Sequence, residues 1–532
     1  MGNIVNYLKQ IITSEKGKDV RQSMHDAIKQ VYDDAATSGN ANMEVTFARG
    51  TENTLNDRLT KMDQVAETTT AQLATLMKYK GTFINIKEAP FKAKGDGTTD
   101  DTQIIKDAVL AVNGGTIYFP KGSYLVSSTI DFTCSVVFED ALNTAIIPKT
   151  GVSITPVVKI DNQVFKSYIN LSVVRSARDT VNHDGIQISG YSNRLHIENI
   201  RAHNLNGYGI KMDAIWDSHI EQIHVESCGS VEFSKESFWI GATTDTVNQN
   251  TFISIQTENC EYAGLWVTDQ AYSNRFIGIH AEYNGVNTPT LRLGGYRNQY
   301  YGSGHLGSGY AKVFVGGEGN TYHGIVFDTS HVEGTNANSG TKHFISECLL
   351  PKYIQFGGST VVFSNCSINE LEINGNNVKM FGGDVTTLSH IYTGGTNKNE
   401  FHDVEIDTIT QAGSGAANLE LFNCKVLNNV SLVGTGLKVN GGEFIGVTNI
   451  SYMGGVKELK GVTFSNLNIS GNNVMYGCGI YHSIIKGNLI IDSSNHSEIH
   501  LSTISGYVNG DDTSKIIKSY VSGEVIGLTV IN

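Results

Sequence analysis

The chain has 532 residues, a mass of 57.7 kDa and a formal net charge of −13, with 39 Lys and Arg against 52 Asp and Glu. Such a length suffices for about three ordinary domains or one long repetitive domain, and it excludes a small disulfide-stapled scaffold. The acidic balance argues against a sequence-independent grip on nucleic acid or on an anionic membrane. Glycine is frequent (57 residues) and proline rare (6), a balance typical of many short strands joined by glycine and asparagine turns.

The cysteines and the N-terminus exclude further classes of protein. Seven cysteines are scattered without a C-x-x-C pair, so neither a disulfide framework nor a zinc site is indicated. We expect buried thiols, no metal ligands and no cofactor. The first residues, MGNIVNYLKQ, lack the apolar core of a signal peptide, and no apolar stretch long enough to span a membrane follows. We therefore expect neither a signal peptide nor a membrane span.

The N-terminal part of the chain carries helical patterns. Apolar residues recur at helical spacing over residues 18–36, which predicts an amphipathic helix that ends near Ser38–Gly39. From residue 55 onward, apolar or small residues recur in alternating steps of four and three, at Leu55, Leu59, Met62, Ala66, Thr69, Leu73 and Leu76. Three heptads of this kind predict a coiled coil over 55–80, and hence an oligomer, because a single helix would leave the seam exposed.

Residues 91–126 read FKAKGDGTTDDTQIIKDAVLAVNGGTIYFPKGSYLV. A glycine-acid turn leads to a helix (residues 102–112), a Gly114–Gly115 turn and a strand (residues 116–119). The segment resembles the start of the pectate-lyase-like right-handed parallel β-helix superfamily, as found in bacteriophage tailspikes and tail-fibre depolymerases. The resemblance implies that the helix caps the open end of the β-helix and covers an edge that would otherwise aggregate. It also implies that three acidic residues serve as turn and cap residues rather than in catalysis: Asp96, Asp100 and Asp101.

Two N-terminal stretches, EKGKDVRQSMHDAIKQ and ARGTENTLNDRL, are similar to the virion-attachment stalks of baseplate and tail proteins from phages of Gram-positive hosts. This resemblance implies that the chain joins a phage tail or baseplate protein through its N-terminus. With the predicted coiled coil, it implies a homotrimer in the virion that acts at the host cell surface.

Repeats occupy the middle of the chain. Asn or Asp residues that follow short β-type segments recur at positions 193, 217, 250, 274, 298 and 320, with successive intervals of 24, 33, 24, 24 and 22. The interval of 33 predicts an inserted loop of about nine residues near Gly229–Ser237. A repeat of this length with β-type alternation predicts a solenoid whose rungs cover one another's apolar faces.

Repeats in the C-terminal part are shorter. Segments begin at Val361, Val378, Phe401, Leu419, Leu437, Val456 and Val474, and the intervals between their starts are 17, 23, 18, 18, 19 and 18. They fit either a slimmer continuation of the β-helix or an intertwined trimeric stem. The predicted fold is therefore an all-β, single-stranded parallel β-helix with a short N-terminal helical stalk. Its predicted parts are an attachment segment (1–54), a trimeric coiled coil (55–80), the start of the β-helix with its capping helix (81–180), the main β-helix (181–350) and the slim β-helix or stem (351–532).

A column of glutamates emerges when three rungs are aligned as QIHVESCG, SIQTENCE and GIHAEYNG. Alternation points Ile223, Ile255 and Ile279 inward and the column Glu226, Glu258 and Glu282 outward, interleaved with His224, Gln256 and His280. Asp328 falls in the same column further along, and Leu306 is expected to interrupt it. Two carboxylates about 5 Å apart repel by roughly 3 kcal/mol at an effective dielectric of 20, from which a purely structural solenoid gains nothing.

Paired carboxylates are what glycoside hydrolysis requires, as general acid and as base or nucleophile. We therefore predict Glu226, Glu258 and Glu282 as catalytic residues. We predict substrate binding by His224, His280, Asp328, Tyr262, Tyr283 and Trp239. Glu232 and Glu236 in the inserted loop fit either a cleft wall or solvated charges. The alternatives for the whole column are a solvated polar face and a ladder that binds an anion or a cation.

What the resemblance implies is binding and depolymerisation of a host capsule, exopolysaccharide or teichoic acid. The acidic column favours a hydrolase over a lyase, because β-elimination needs a cationic group to stabilise the enolate. The other alternative is a non-enzymatic receptor-binding tail protein.

Overall fold

The computed structural model describes residues 17–38, 54, 56–65, 67 and 83–531, with gaps at 244, 285–290, 309–311, 329–330, 336–341, 356–359, 375–376, 392–397, 413–418, 434–436, 453–456, 472–477, 492–497, 510–514 and 527–528. The chain divides into two compact units, Met1–Thr82 and Phe83–Asn532.

The first unit contains helix α1 (Gly17–Ser38), which confirms the predicted helix and its end. Ala27 is buried on its apolar face, while Met24 is exposed. A second helix, α2, covers residues 56–65. The rest of the predicted coiled-coil seam (Leu55, Ala66, Thr69, Leu73 and Leu76) lies outside the described residues. No helix among the described residues is long and apolar enough to cross a membrane.

The second unit is a β-solenoid in which the named strands of the described residues pair in parallel with those of the next rung. It contains one further helix, α3 (Thr102–Val112). Strands β1–β10 are Phe83–Asn85, Asp96–Asp100, Thr116–Phe119, Gly122–Val126, Ile130–Asp131, Ser135–Phe138, Thr144–Pro148, Val158–Asp161, Ser167–Ile169 and Ser172–Val174. Strands β11–β29 are Ile186–Ser189, Ser192–Asn193, His196–His203, Ile210–Asp213, Ile215–Trp216, His219–Glu226, Phe238–Gly241, Val247–Asn248, Thr251–Glu258, Leu265–Val267, Ala271–Tyr272, Arg275–Glu282, Leu291–Leu293, Gln299–Ser308, Lys312–Gly316, Thr321–Phe327, His331–Thr335, Lys342–Ser346 and Leu349–Gln355. Strands β30–β50 are Thr360–Ile373, Val378–Ile391, Asn399–His402, Glu405–Ala412, Leu419–Phe422, Lys425–Val426, Val430–Val433, Lys438–Asn440, Glu443–Tyr452, Lys457–Lys460, Thr463–Gly471, Cys478–Tyr481, Ile484–Ile485, Leu489–Ile491, Glu498–His500, Thr503–Ile504, Val508–Asn509, Lys515–Ile517, Tyr520–Val521, Val525–Ile526 and Thr529–Ile531.

Helix α3 packs on strands β1, β3 and β5 and buries Ile105, Ala108 and Val112. This placement agrees with the expected capping helix. The three aspartates before it are turn and cap residues, with one difference. The carboxylate of Asp100, rather than that of Asp101, accepts the first helical N–H, from Thr102 (3.0 Å). The buried Asp101 instead accepts the backbone N–H groups of Lys94 and Gly95, and so fixes the preceding turn.

Each middle rung has a short strand and a long strand, which stack into two ladders. The short-strand ladder is β8, β11, β14, β17, β20, β23, β25 and β27, and the long-strand ladder is β13, β16, β19, β22, β24 and β26. The long strand bends at one residue with positive φ, as at Asn199, Gln222 and Ser254. Further residues with positive φ precede it (Arg194, Asp217) and follow it (Asn204). Single-residue corners therefore recur at fixed positions and keep successive rungs in register.

A ladder of buried asparagines occupies one corner. The side-chain oxygen of Asn274 accepts the backbone N–H of Asn250 (3.0 Å), and that of Asn298 accepts the N–H of Asn274 (2.8 Å). Asn320 repeats the contact for Asn298. In the two preceding rungs this position is held by Ser218 and Leu195. The assignment of Asn193 and Asp217 to this column is therefore wrong, because they lie two residues and one residue before it, beside the positive-φ corner.

The inserted residues divide between two places instead of forming one loop of nine. His203 pairs with Glu226, and Ile210 pairs with Phe238. His203 and Ile210 are seven residues apart, whereas their partners Glu226 and Phe238 are twelve apart, so five residues are added after the long strand. Four more are added after the short strand. Met212 and Trp216 are four residues apart, whereas their partners Ile240 and Asn248 are eight apart.

The C-terminal part continues the same chain's solenoid, since its strands pair in parallel with the preceding rung as far as β50. This favours the slim β-helix over the intertwined stem. The predicted starts at Val378, Leu419 and Leu437 agree with the register. The predicted start at Phe401 is displaced, because the strand begins at Asn399. The predicted starts at Val456 and Val474 lie outside the described residues.

The core of the middle rungs contains a stack of four buried rings: Phe252, Phe276, Tyr300 and Tyr322. Successive centroids are 4.8, 4.8 and 5.0 Å apart. His343 follows Tyr322, at 6.5 Å. It is 1% exposed, and neither ring nitrogen has a hydrogen-bond partner within the described residues. Burial lowers the pKa of His343 to about 4.

We predict that Asn274→Ala lowers the free energy of local opening by about 2–4 kcal/mol, because it leaves the buried N–H of Asn250 and the carbonyl of Val247 unpaired. Amide hydrogen exchange of peptides spanning residues 247–253 measures this. Asn193→Ala is the matched control, since Asn193 makes only a surface bond to the carbonyl of Tyr191. Unchanged exchange in Asn274→Ala would contradict the structural role of the ladder.

We predict that His343 makes the solenoid acid-sensitive. Its folded-state pKa of about 4 lies below the ordinary value of 6.5, so its contribution is present above pH 6.5 and is lost as the pH falls towards 4. The difference corresponds to about 3 kcal/mol. His343→Phe removes this dependence and extends the aromatic stack. Thermal unfolding at several pH values between 7 and 4 checks this, and an equally steep acid loss in the variant would refute it.

Candidate functional site

The glutamate column lies on the outer surface of the long-strand ladder. Glu226 pairs with Glu258, and Glu258 with Glu282, in the register that the sequence alignment predicts. Their side chains are 25–29% exposed. His203 precedes Glu226 in the same column. Three like-charged side chains on consecutive rungs, about 4.8 Å apart, form the central feature of the site.

The column points outward because the strands alternate. Residues that alternate with the outward positions face the core: Ile223, Ile255 and Ile279 are at most 3% exposed, as are Val225 and Ala281. Beyond Glu282 the register shifts. Leu306 is buried and pairs with Ala281, while the backbone register pairs Glu282 with Ser308. The exposed Asp328 follows Phe327, which pairs with Leu306, and so re-enters the column.

His280 lies between two of the glutamates. Its Nε2 is 3.8 Å from Glu258 Oε1 and 3.4 Å from Glu282 Oε1. One donor atom from each of the three side chains lies within 4.8 Å of the other two. Gln256 donates a hydrogen bond to Glu258 from the same rung. The imidazole of His280 thus lies between the carboxylates of Glu258 and Glu282, which repel each other.

Glu226 is surrounded by three nitrogen-bearing side chains. Its Oε2 lies 3.7 Å from Arg201 Nη2, 3.8 Å from His203 Nε2 and 3.9 Å from His224 Nε2. Sequence reasoning missed Arg201, although that residue aligns with His224 once His203 is placed at the head of the column. The described residues offer no hydrogen-bond partner for Arg201 Nε or His224 Nε2, both of which are buried.

The two histidines beside Glu226 favour their neutral form. Burial lowers the pKa of His224, and the Arg201 guanidinium lowers it further. Burial also lowers the pKa of His203, with Glu226 opposing and Arg201 reinforcing the change. A neutral imidazole accepts as well as donates a hydrogen bond, so these two side chains can take a proton near neutral pH.

The predicted aromatic residues are divided between two regions. Tyr283 directly follows Glu282 and is 66% exposed, and Tyr262 lies half-buried in the loop after Glu258. Trp239 lies instead on the short-strand ladder, paired with Trp266, and Lys211 Nζ is 4.9 Å from its ring centroid. Trp239 and the glutamates therefore belong to different strand ladders.

A second group of polar side chains surrounds Tyr208, just before strand β14 of the short-strand ladder. Lys235 Nζ lies 4.3 Å from the ring centroid of Tyr208 and 3.7 Å from Asp184 Oδ2. Burial raises the pKa of Asp184 and that of Glu236, whose neighbours Tyr208 and Lys235 oppose the change. Glu236 is thus a half-buried carboxyl beside an aromatic ring, unlike a solvated charge. Carboxyl groups with raised pKa in such surroundings are recurrent features of functional sites.

We predict that Arg201→Gln raises the pKa of both His203 and His224, because it removes the positive charge that disfavours their protonation. Arg178→Gln is the matched control, since Arg178 pairs with Glu261 (2.9 Å) away from the two histidines. NMR titration of histidine-labelled protein measures both. Equal titration curves in Arg201→Gln and the unaltered protein would show that the guanidinium does not act on this cluster.

The chain was compared with known protein families, curated proteins and solved structures. No curated protein matches the chain significantly. Structural similarity extends to the ORF18 protein of Geobacillus virus E2 (14% identity, TM-score 0.29, 72% of this chain and 63% of that one). It also extends to the Dettilon tailspike protein (11%, 0.29, 68% of each chain) and to the pre-mature gene product 12 of bacteriophage phi29 (11%, 0.31, 88% and 76%). This chain thus spans less than two thirds of the Geobacillus virus protein, and the scores are too low to bear on function.

The family model described as rhamnogalacturonase A/epimerase, pectate lyase-like, matches residues 83–286, which contain the three glutamates. The matched residues form part of the parallel β-solenoid.

Proposed function

We propose that the chain is a phage tailspike that binds and depolymerises a host cell-surface glycan, and that Glu258 and Glu282 carry the hydrolysis. The observation that carries the proposal is the outward pair of carboxylates bridged by His280 on adjacent rungs. One oxygen atom of Glu258 lies within 4.8 Å of one oxygen atom of Glu282. Glycosidases that retain configuration separate their carboxyl groups by about 5–5.5 Å.

In this mechanism one carboxyl protonates the glycosidic oxygen as it leaves, while the other attacks the anomeric carbon or activates water. His280, whose Nε2 lies within 4 Å of both, is placed to stabilise whichever carboxylate is ionised. Tyr283, exposed beside Glu282, provides a flat ring on which a sugar can stack. Glu226 and Asp328 lie further along the column, where they contact neighbouring sugar units.

A polysaccharide lyase is the second candidate, and Arg201 favours it. β-Elimination requires a cationic group at the developing enolate and a base for the α-proton. Arg201 lies 3.7 Å from Glu226, with the neutral-favouring His203 and His224 beside it. This arrangement supplies both groups one rung away from the hydrolytic pair. A non-enzymatic receptor-binding protein is the third candidate, in which the same surface holds the glycan without cleaving it.

The assembly belongs to the same proposal. The N-terminal unit attaches the chain to a phage tail or baseplate protein, the oligomer is a homotrimer, and the glycan is a capsule, exopolysaccharide or teichoic acid of the host. Support for it comes from the attachment-type sequences and from the partly described heptad segment at residues 55–76.

We predict that Glu258→Gln and Glu282→Gln each lower the rate of glycan cleavage by about 10²–10⁴, the usual contribution of a general acid or base. The assay is the release of reducing ends or phosphate from purified host wall glycan. Glu443→Gln is the control, because Glu443 is a surface carboxylate paired with Lys486 in the slim part of the solenoid.

The products and the second group of variants separate the three candidates. An unsaturated sugar at the new chain end, lost in Arg201→Gln and kept in Glu258→Gln, would establish the lyase. Full turnover in both glutamate variants would overturn the hydrolytic pair. Binding without any cleavage by the unaltered protein would establish the adhesin.

A further inference from the structure

A second cluster of histidines and glutamates lies on the other half of the long strands, before the bend. His196 pairs with His219 and Glu198 with Glu221 on the adjacent rungs β13 and β16. Because alternate residues of a strand share a face, the H-x-E sequence on each rung points both side chains outward. The stacked rungs thus place two imidazoles and two carboxylates in one square.

The geometry within the square is close. His196 Nε2 lies 3.4 Å from Glu198 Oε2, and His219 Nε2 lies 3.3 Å from Glu221 Oε2. The two imidazole rings are stacked, with centroids 5.8 Å apart and planes 7° from parallel. One donor atom from each of His196, Glu198 and Glu221 lies within 4.8 Å of the other two.

The geometry points to a binding site for a divalent transition metal ion, which we propose for His196, Glu198, His219 and Glu221. Tetrahedral zinc with ligand bonds of about 2.0–2.2 Å separates its ligand atoms by about 3.3 Å, which both His–Glu pairs already match. Two nitrogen and two oxygen ligands suit zinc or cobalt better than calcium or magnesium, which prefer oxygen alone. A full set of four protein ligands is typical of a structural site, so the ion joins two rungs.

The surroundings of the square support a bound cation. Glu198 pairs with Ile169 on the preceding rung, and Glu221 pairs with Ile253 on the following rung. The two glutamates therefore form an isolated polar pair between apolar residues. Their negative charges, on rungs about 4.8 Å apart, repel unless a cation lies between them. The four side chains are 30–44% exposed, which leaves the site open to ions from solvent.

The proposed metal site does not depend on the proposed glycan site, and the following experiment tests the metal site separately. The full-length chain is titrated with Zn²⁺ by calorimetry and with Co²⁺ by visible absorption, which reports four-coordinate geometry. We expect one tight equivalent. The double variants His196→Ala/His219→Ala and Glu198→Gln/Glu221→Gln lower its affinity more than about 100-fold, since loss of outer-shell partners alone costs about 10–100-fold.

Two controls make the result specific. His500→Ala removes a single His–Glu pair in the reverse order, E-x-H, with His500 Nε2 and Glu498 Oε2 at 3.0 Å. Its register partners Tyr481 and Gly479 supply no second pair. Glu258→Gln/Glu282→Gln removes the other group of metal-ligating atoms among the described residues. Both controls keep the tight equivalent if the proposal holds. Absence of a tight equivalent in the unaltered chain, or its loss only in Glu258→Gln/Glu282→Gln, overturns it.

Discussion

In-register stacking of parallel strands is the constraint on which this molecule depends. Each side chain lies about 4.8 Å from the side chain at the same position of the next rung, so any preference of one residue type for its own kind is repeated along a column. Stacked rings fill the core from Phe252 to Tyr322, and stacked asparagines satisfy the backbone at a buried corner. The same rule places like charges side by side on the surface, where they repel.

On the surface, nitrogen-bearing side chains lie next to the carboxylates that repel one another. His280 lies between Glu258 and Glu282, and Arg201 with two histidines surrounds Glu226. In the H-x-E square, imidazoles lie beside both carboxylates. Acidic groups are thus held near nitrogen donors at two places on the long-strand ladder, separated by the bend. Concentrated charge of this kind is what we propose for acid and base catalysis in one place and for metal binding in the other.

Much of the fold could be predicted from the sequence because, in a solenoid, the alternation of inward and outward residues and the repeat length recur from rung to rung. The inward isoleucines and the outward glutamates were aligned correctly, since each rung repeats a long strand of the same length. Asn193 and Asp217 were misplaced because Asp217 occupies, and Asn193 directly precedes, the positive-φ corner next to the ladder, and asparagine and aspartate both suit such turns. The number of residues between Asp217 and Asn250 shows how large the insertion is. It does not show how many of the inserted residues lie before the short strand and how many lie after it.

The candidate site was less completely predicted. The neighbours of Arg201 and of the residues in the H-x-E square lie on adjacent rungs. The sequence of a single strand does not show which residues of the next rung these are. Trp239 was grouped with the glutamates because it lies in the same repeat, although it occupies the other ladder.

The most direct test of the central claim is a crystal structure of the full-length chain with an oligosaccharide from the host glycan. The account predicts a sugar across the outer face of the long-strand ladder, with the glycosidic oxygen within hydrogen-bonding distance of Glu258 or Glu282. A sugar bound only to the short-strand ladder around Trp239 and Tyr208, away from the glutamate column, would contradict it.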